Sequence, residues 1–177
     1  MPVTEFVTFK LKEPYTIENQ ELRQRLLILS DRQSNWSLYP LMFYVDIEDQ
    51  AVIYLISSWE SVAVHTKWIE SEQNQDLLKM FETILSITNF THIDFDSTEI
   101  DPDVLAFKKY ALDSGGLPSE DTTRSLVEPV GTELWLKEGP SIEKPEEIYT
   151  LSAWIGLEDV KKAPTSWRCM RRLLIRG

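Results

Sequence analysis

Residues 3–11, VTEFVTFKL, alternate polar and apolar side chains and are rich in β-branched and aromatic types, which predicts a first strand. In the segment that follows, IENQELRQRLLILSDRQ, Leu22, Leu26 and Leu29 recur at helical spacing. Thr16 or Asn19 can cap that helix by accepting a hydrogen bond from its first amides. After Pro40 the runs LMFYVDI and AVIYLISSW are separated only by EDQ, and two β-rich runs across so short a turn predict an antiparallel hairpin. Leu77, Phe81 and Leu85 stand four apart and predict a second helical region, after which NFTHIDF reads as a closing strand. The order β-α-β-β-α-β is that of the ferredoxin-like split unit.

Residues 97–103 turn acidic around Pro102 and read as a linker. A weaker copy of the same order follows: VLAFKKYAL as a strand, PSEDTTRSLV as a short helix, and GTELWLKEG with EEIYTLSAWI as a hairpin. Ile53-Tyr54 and Ser57-x-Trp59 match Ile148-Tyr149 and Ser152-x-Trp154, placing one pattern at the end of the third strand of each copy. No closing strand is evident in the second copy, and SWRCMRRLLIRG reads as a basic C-terminal helix. The expected fold is α+β, with one ferredoxin-like half over 1–96, a linker over 97–103 and a degenerate second half over 104–177.

Charge narrows the partners. With a formal net charge of -11 over 177 residues, the chain lacks the basic face that nucleic acid or an anionic membrane surface demands. The opening MPVTEFVTFKLKEP has neither the basic nor the apolar region of a signal peptide, and no apolar run reaches the roughly 18 residues of a membrane span. A cytoplasmic location is the expectation. The single cysteine, Cys169, leaves no internal disulfide.

The first strand VTEFVTFKLK, the W-E-S-V-x-x-H turn from Trp59 to His65 and the H-I-D-F strand at His92 together resemble the dimeric α+β barrel superfamily. Within it, they resemble the antibiotic-biosynthesis-monooxygenase-like (ABM) group common in fungi. The resemblance spans residues 3–95 and, more weakly, 104–160. It implies two ferredoxin-like sheets, from two chains or two tandem halves, joined into a barrel, with a hydrophobic cavity between each sheet and its helices. It also implies enzymes that work without a cofactor: oxygenases of anthrone-type phenols, polyketide cyclases, decarboxylases and isomerases. The leading expectation is a tailoring enzyme of secondary metabolism acting on a polyketide- or terpenoid-like substrate. A cofactor-free monooxygenase and a non-catalytic binding barrel are the alternatives. Because a lone ferredoxin-like sheet leaves an apolar face uncovered, a homodimer is expected, unless residues 104–177 cover the first half.

His65 and His92 are the only histidines. Ser61 is suited to cap the helix that carries His65, and His65 and Trp68, three apart, share a face of it. On the closing strand Phe90, His92 and Asp94 share one face. A histidine oriented by a carboxylate can transfer protons at neutral pH, so His65, His92 and Asp94 are the candidate catalytic residues, with an activity limb expected between about pH 5.5 and 7.5. Trp59, Trp68, Tyr54 and Phe90 are candidates for lining the substrate cavity; the competing expectation is that they form packed core. Plant polyketide cyclases of the superfamily carry tyrosine and histidines just after WESV, where this chain has Trp68, Ser71 and Asn74, so their aldol-type mechanism does not carry over.

The run HIDFDSTEIDPD is rich in oxygen ligands but lacks the glycine of a calcium loop and a further histidine for zinc or iron, so no metal is expected. No glycine-rich phosphate loop exists for a nucleotide or flavin. Cys169 lies among arginines that could lower its pKa. Arg168, Arg171, Arg172 and Arg176 are expected to pair with the acidic body or face solvent.

Overall fold

The computed structural model describes residues 1–98, 101–112 and 133–175. Strand β1 (Val3–Leu11) leads through α1 (Gln20–Ser37) to the hairpin of β2 (Leu41–Asp46) and β3 (Val52–Trp59). Helices α2 (Val62–Glu70) and α3 (Glu72–Phe81) follow, and then β4 (Leu85–Ile93). The second half comprises β5 (Val104–Ala111), β6 (Glu133–Pro140), β7 (Glu147–Trp154), a one-turn α4 (Leu157–Val160) and β8 (Arg168–Arg172). The helix expected over 118–127 lies outside the described residues, as does Arg176.

These strands form one antiparallel sheet in the order β4-β1-β3-β2-β8-β5-β7-β6. Each half thus repeats a single internal order: its fourth strand, first, third and second. The halves join where Tyr44, Val45 and Asp46 pair with Arg172, Arg171 and Met170. The sheet curls until its far edges touch. Ile93 bridges Ser141, Asp94 N donates to Pro140 O at 3.0 Å, and Ile142 N donates to His92 O at 2.8 Å. Gly139 permits this approach, since a Cβ there would fall 2.8 Å from the carbonyl oxygen of Asp94.

Residues 168–172 are therefore a strand and not the expected C-terminal helix. Within RCMRR Met170 is buried inside the curl, while Arg171 and Arg172 remain partly exposed. The missing closing strand of the second half is this segment. The second helical region expected around Leu77, Phe81 and Leu85 comprises two helices that meet at Ser71, whose hydroxyl caps the second by accepting from Asn74 N at 3.2 Å. Leu85 belongs to β4. Asn19 caps α1 and Ser61 caps α2 through their side-chain oxygens.

Two cores lie on the two faces of the sheet. Val7, Phe9, Phe43, Val45, Leu55 and Trp59 pack beneath Leu22, Leu26, Leu29, Trp68, Leu77 and Phe81 of the three helices. On the concave side Phe6, Met42, Tyr44, Tyr54, Ile56 and Ile93 meet Leu105, Tyr149, Leu151, Ala153 and Met170 of the second half. The apolar face for which a second copy was expected is thus covered from within the chain.

Candidate active site

The helix-side face of β1 reads Val3, Glu5, Val7, Phe9, Leu11. Glu5 is the one charged member, and it is 4% exposed. Its neighbours across the sheet are Ser57 on β3 and His92 on β4. The pairing of β1 with β4 shifts register between Thr8 and Phe9. Phe9 therefore faces Ile87 while Val7 faces Phe90 and Glu5 faces His92. That irregularity brings an odd-numbered and two even-numbered residues of β4 to the same face.

Glu5 is held on one oxygen. Trp59 Nε1 donates to Oε2 at 2.8 Å, and Gln33 Nε2 donates to it at 2.6 Å. Its other oxygen, Oε1, lies 3.6 Å from Nε2 of His65. The His65 ring stacks on the indole of Trp59 with centroids 4.2 Å apart and an interplanar angle of 11°. His65 Nδ1 contacts His92 Nε2 at 2.7 Å, and His92 Nδ1 contacts Glu143 Oε1 at 2.5 Å. The remaining Glu143 oxygen accepts from the backbone amide of His92 at 2.9 Å and from the hydroxyl of Thr91 at 3.0 Å.

Proton positions follow from these partners. Glu143 can only accept while ionised, so Nδ1 of His92 carries the hydrogen. His92 Nε2 then accepts from Nδ1–H of His65, and Nε2 of His65 presents a lone pair to Oε1 of Glu5. Burial pushes the Glu5 carboxyl up from 4.5 to about 7, against the lowering effect of the bonds from Trp59 and Gln33. Burial, reinforced by His92, pushes His65 down to about 3. Burial also opposes the charge of Glu143, but its bonds from the side chain and backbone of His92 prevail and hold it below the usual carboxylate range.

Glu5 and His65 open onto a cavity of about 330 Å³ between the sheet and the helices. Its walls are Val7, Phe9, Leu29, Leu55, Trp68, Leu77, Phe81 and Phe90, with Gln33 and Asn74 as further polar groups. Exposed Leu78, Ile87 and Phe90 stand on its rim. A volume of this order lies in the range of small-molecule sites, about 300–1,000 Å³.

The structure unites some expected site residues and separates others. His65 and Trp68 are buried on one face of α2 and line the cavity, as does Phe90. His92 is in contact with His65 but stands behind it. Trp59 also stands behind, as the support of both Glu5 and His65. Tyr54 is on the opposite face of the sheet, where its hydroxyl donates to Asp46 Oδ2 at 2.7 Å, so it does not line this cavity. Asp94 follows the end of β4 with its side chain exposed; the carboxylate on His92 is Glu143. Cys169 is half-buried with its pKa raised, by burial first and then by Glu48 and Asp46. The arginines beside it face elsewhere, Arg168 to Glu48 at 3.3 Å and Arg172 to Asp101.

No family model matches the sequence, and no curated protein matches it. Similarity is found among solved structures. An anthrone oxidase-like protein superimposes with a TM-score of 0.63 at 12% identity, covering 98% of this chain and 92% of that one. A proposed monooxygenase from Fusobacterium nucleatum subsp. nucleatum superimposes at 0.61 and 7% identity, covering 99% and 93%. A chlorite dismutase from Candidatus Nitrospira defluvii gives 0.54 at 12% identity, covering 97% and 91%. At such identities the likeness defines the fold alone: an α+β protein built on a curled antiparallel sheet.

Peroxidases hold haem iron by a histidine nitrogen, and a dye-decolorizing peroxidase from Bacteroides thetaiotaomicron shares this fold at a TM-score of 0.55. Here the residues do not fit that role. Both nitrogens of His92 are hydrogen-bonded, and those of His65 face His92 and Glu5. Among the described residues no group of three metal-ligating side chains converges.

Proposed function

We propose that the cavity of the first half is the active site of a cofactor-independent enzyme that moves a proton on a flat, largely apolar small molecule, with Glu5 as the acid/base group. The observation that carries this reading is the Glu5 carboxyl, set in an apolar cavity wall with its pKa raised to about 7. A buried carboxyl tuned to the working pH is what efficient general acid/base transfer requires. The histidine base expected from the sequence gives way to this carboxyl, because His65, at about 3, stays neutral through the physiological range.

Ionised Glu5 would take a proton from an acidic C–H or O–H of the substrate, and its return at another atom gives isomerisation, cyclisation, dehydration or decarboxylation. Polyketide- or terpenoid-like compounds suit the walls, and secondary metabolism is the setting that such substrates imply. The structural likeness to an anthrone oxidase-like protein favours one second reading. In it the carbanion left by Glu5 reduces dioxygen: the CH2 carbon becomes C=O with one oxygen atom, and the other oxygen atom leaves as water.

The test is a panel of anthrones, phenols and β-polyketones, incubated in air and without oxygen, with wild type and Glu5→Gln. Turnover that falls at least about a hundredfold in E5Q supports the assignment, and the effect of removing oxygen selects between the two chemistries. Equal turnover by wild type and E5Q refutes it.

A further inference from the structure

Four groups link the cavity to the surface in one line: Glu5 in the wall, His65, His92, and Glu143, whose side chain is 39% exposed. A packing role alone does not explain the sequence of donors and acceptors. Each imidazole presents a lone pair toward the cavity and an N–H toward the surface, and both rings are nearly inaccessible to water. On the side of Glu5 away from the cavity, His65 is the titratable group in contact, so a proton that leaves Glu5 there must pass through it.

We infer that His65, His92 and Glu143 form a proton conduit between Glu5 and bulk solvent, with Glu143 as its outer terminus. Outward transfer is a relay. The Oε1 proton of Glu5 passes to Nε2 of His65 across the 3.6 Å gap, which must close by a small side-chain movement. The Nδ1 hydrogen of His65 passes to Nε2 of His92, and the Nδ1 hydrogen of His92 passes to Oε1 of Glu143, which releases it to water. One proton enters at Glu5 and one leaves at Glu143. Both rings end neutral in the opposite tautomer, and an inward proton reverses every step and restores them. Near neutral pH Glu5, at about 7, can load or unload its proton, and Glu143, held below the usual carboxylate range, passes any proton it receives on to water.

The conduit is also a junction between the halves. Glu5, His65 and His92 belong to the first half, whereas Glu143 lies in the β6–β7 loop of the second. That loop is anchored at Ser141, whose hydroxyl is 2.7 Å from that of Thr91 beside His92. Glu143 is thus a positioning and relay residue that never touches the cavity.

This inference rests on Glu5 being the proton-exchanging group, yet it can be tested without any substrate. The Glu5 carboxyl is followed by time-resolved infrared spectroscopy after a rapid pH jump across 7, its band identified by its disappearance in E5Q. Glu143→Gln, which can still accept from His92 but takes up no proton, is expected to slow protonation of Glu5 at least tenfold with little change in its equilibrium midpoint. Glu143→Ser is expected to slow it likewise, and millimolar formate to restore the rate in E143S. Wild-type rates in both variants overturn the conduit. Slowing that formate does not relieve also overturns it, because that result marks a displaced loop instead of a missing proton acceptor. An inactive substrate panel with a slowed E143Q would leave the conduit standing and remove only the reaction proposed for Glu5.

Discussion

Replacing Glu5 by glutamine should stabilise the protein at alkaline pH while abolishing its chemistry. Gln33 and Trp59 both donate to one oxygen of Glu5, and the carbonyl of a glutamine can accept both. The new amide can donate to Nε2 of His65, so no buried polar group is orphaned. What is lost is a charge that burial disfavours. The folded-state pKa is raised from 4.5 to about 7. Below 4.5 both folded and unfolded chains bind the proton and nothing is lost. Between 4.5 and 7 the unfolded chain ionises first, and stability falls as pH rises. Above 7 both are ionised and the full penalty persists, about 3 kcal/mol at 1.36 kcal/mol per pH unit.

The assay is urea unfolding of wild type and E5Q at pH 5, 6, 7 and 8 with matched ionic strength. The wild-type value should fall relative to E5Q by about 2.5 kcal/mol between pH 5 and pH 8, at unchanged m. His65 contributes in the opposite sense. Its folded-state value is depressed, so the stability it lends is present above 6.5 and lost as pH falls toward 3. That contribution is common to both proteins and cancels in the difference. A difference that stays flat within about 0.5 kcal/mol from pH 5 to pH 8 refutes a neutral buried Glu5.

Tyr54→Phe should cost about 1–3 kcal/mol, because it strips a buried Asp46 oxygen of its phenolic donor, yet leave turnover unchanged, since Tyr54 is on the face away from the cavity; lost turnover in a folded Y54F would refute that placement. Asp94→Asn, at an exposed side chain, should alter stability by less than about 0.5 kcal/mol and leave the pH–rate profile unmoved. Gly139→Ala should destabilise by about 1–3 kcal/mol in thermal unfolding, because its methyl would meet the Asp94 carbonyl oxygen at 2.8 Å, where only backbone can yield.

Periodicity carried the first half well. The four strands and two helical regions in their order, the cap at Ser61 and the shared face of His65 and Trp68 all follow from short-range spacing, and the structure has them, with the second helical region split into α2 and α3. The second half was harder to read for two physical reasons. Its closing strand is only five residues, and its basic side chains obscure the single buried apolar residue between them. The site itself was half legible. Glu5 carries a signal that alternation alone does not weigh: a carboxylate inside the otherwise apolar row Val3, Val7, Phe9, Leu11. A charge buried in such a row must be neutralised, paired or functional. Glu143 carries no such signal. It is one of several acidic residues in a polar loop, 51 positions from the histidine it holds.

The register of the two halves explains why that residue comes from so far away. Val3 pairs with Trp59, and Val104 pairs with Trp154, so the matched Tyr-x-x-Ser-x-Trp segments occupy equivalent strands. Counting two residues on from each valine places Ala106 at the position of Glu5. Ala106 packs with Val104, Trp154 and Val160, and between β7 and β8 the one-turn α4 stands where the first half carries α2 and α3. With alanine at that position, Trp154 Nε1 donates to Ser152 at 2.8 Å, whereas Trp59 donates to Glu5. The second half thus repeats the strand order without a carboxylate at the position of Glu5. Its hairpin loop still reaches across the edge of β4 to grip His92 through Glu143. In a barrel made from two identical chains such a grip would be reciprocal. Here the backbone part is reciprocal, since Ile47 N donates to Cys169 O at 3.0 Å as Ile142 N does to His92 O. Cys169 stands where His92 would, however, and Glu48 turns to Arg168 at 3.3 Å, so the carboxylate–imidazole contact is made in one direction alone.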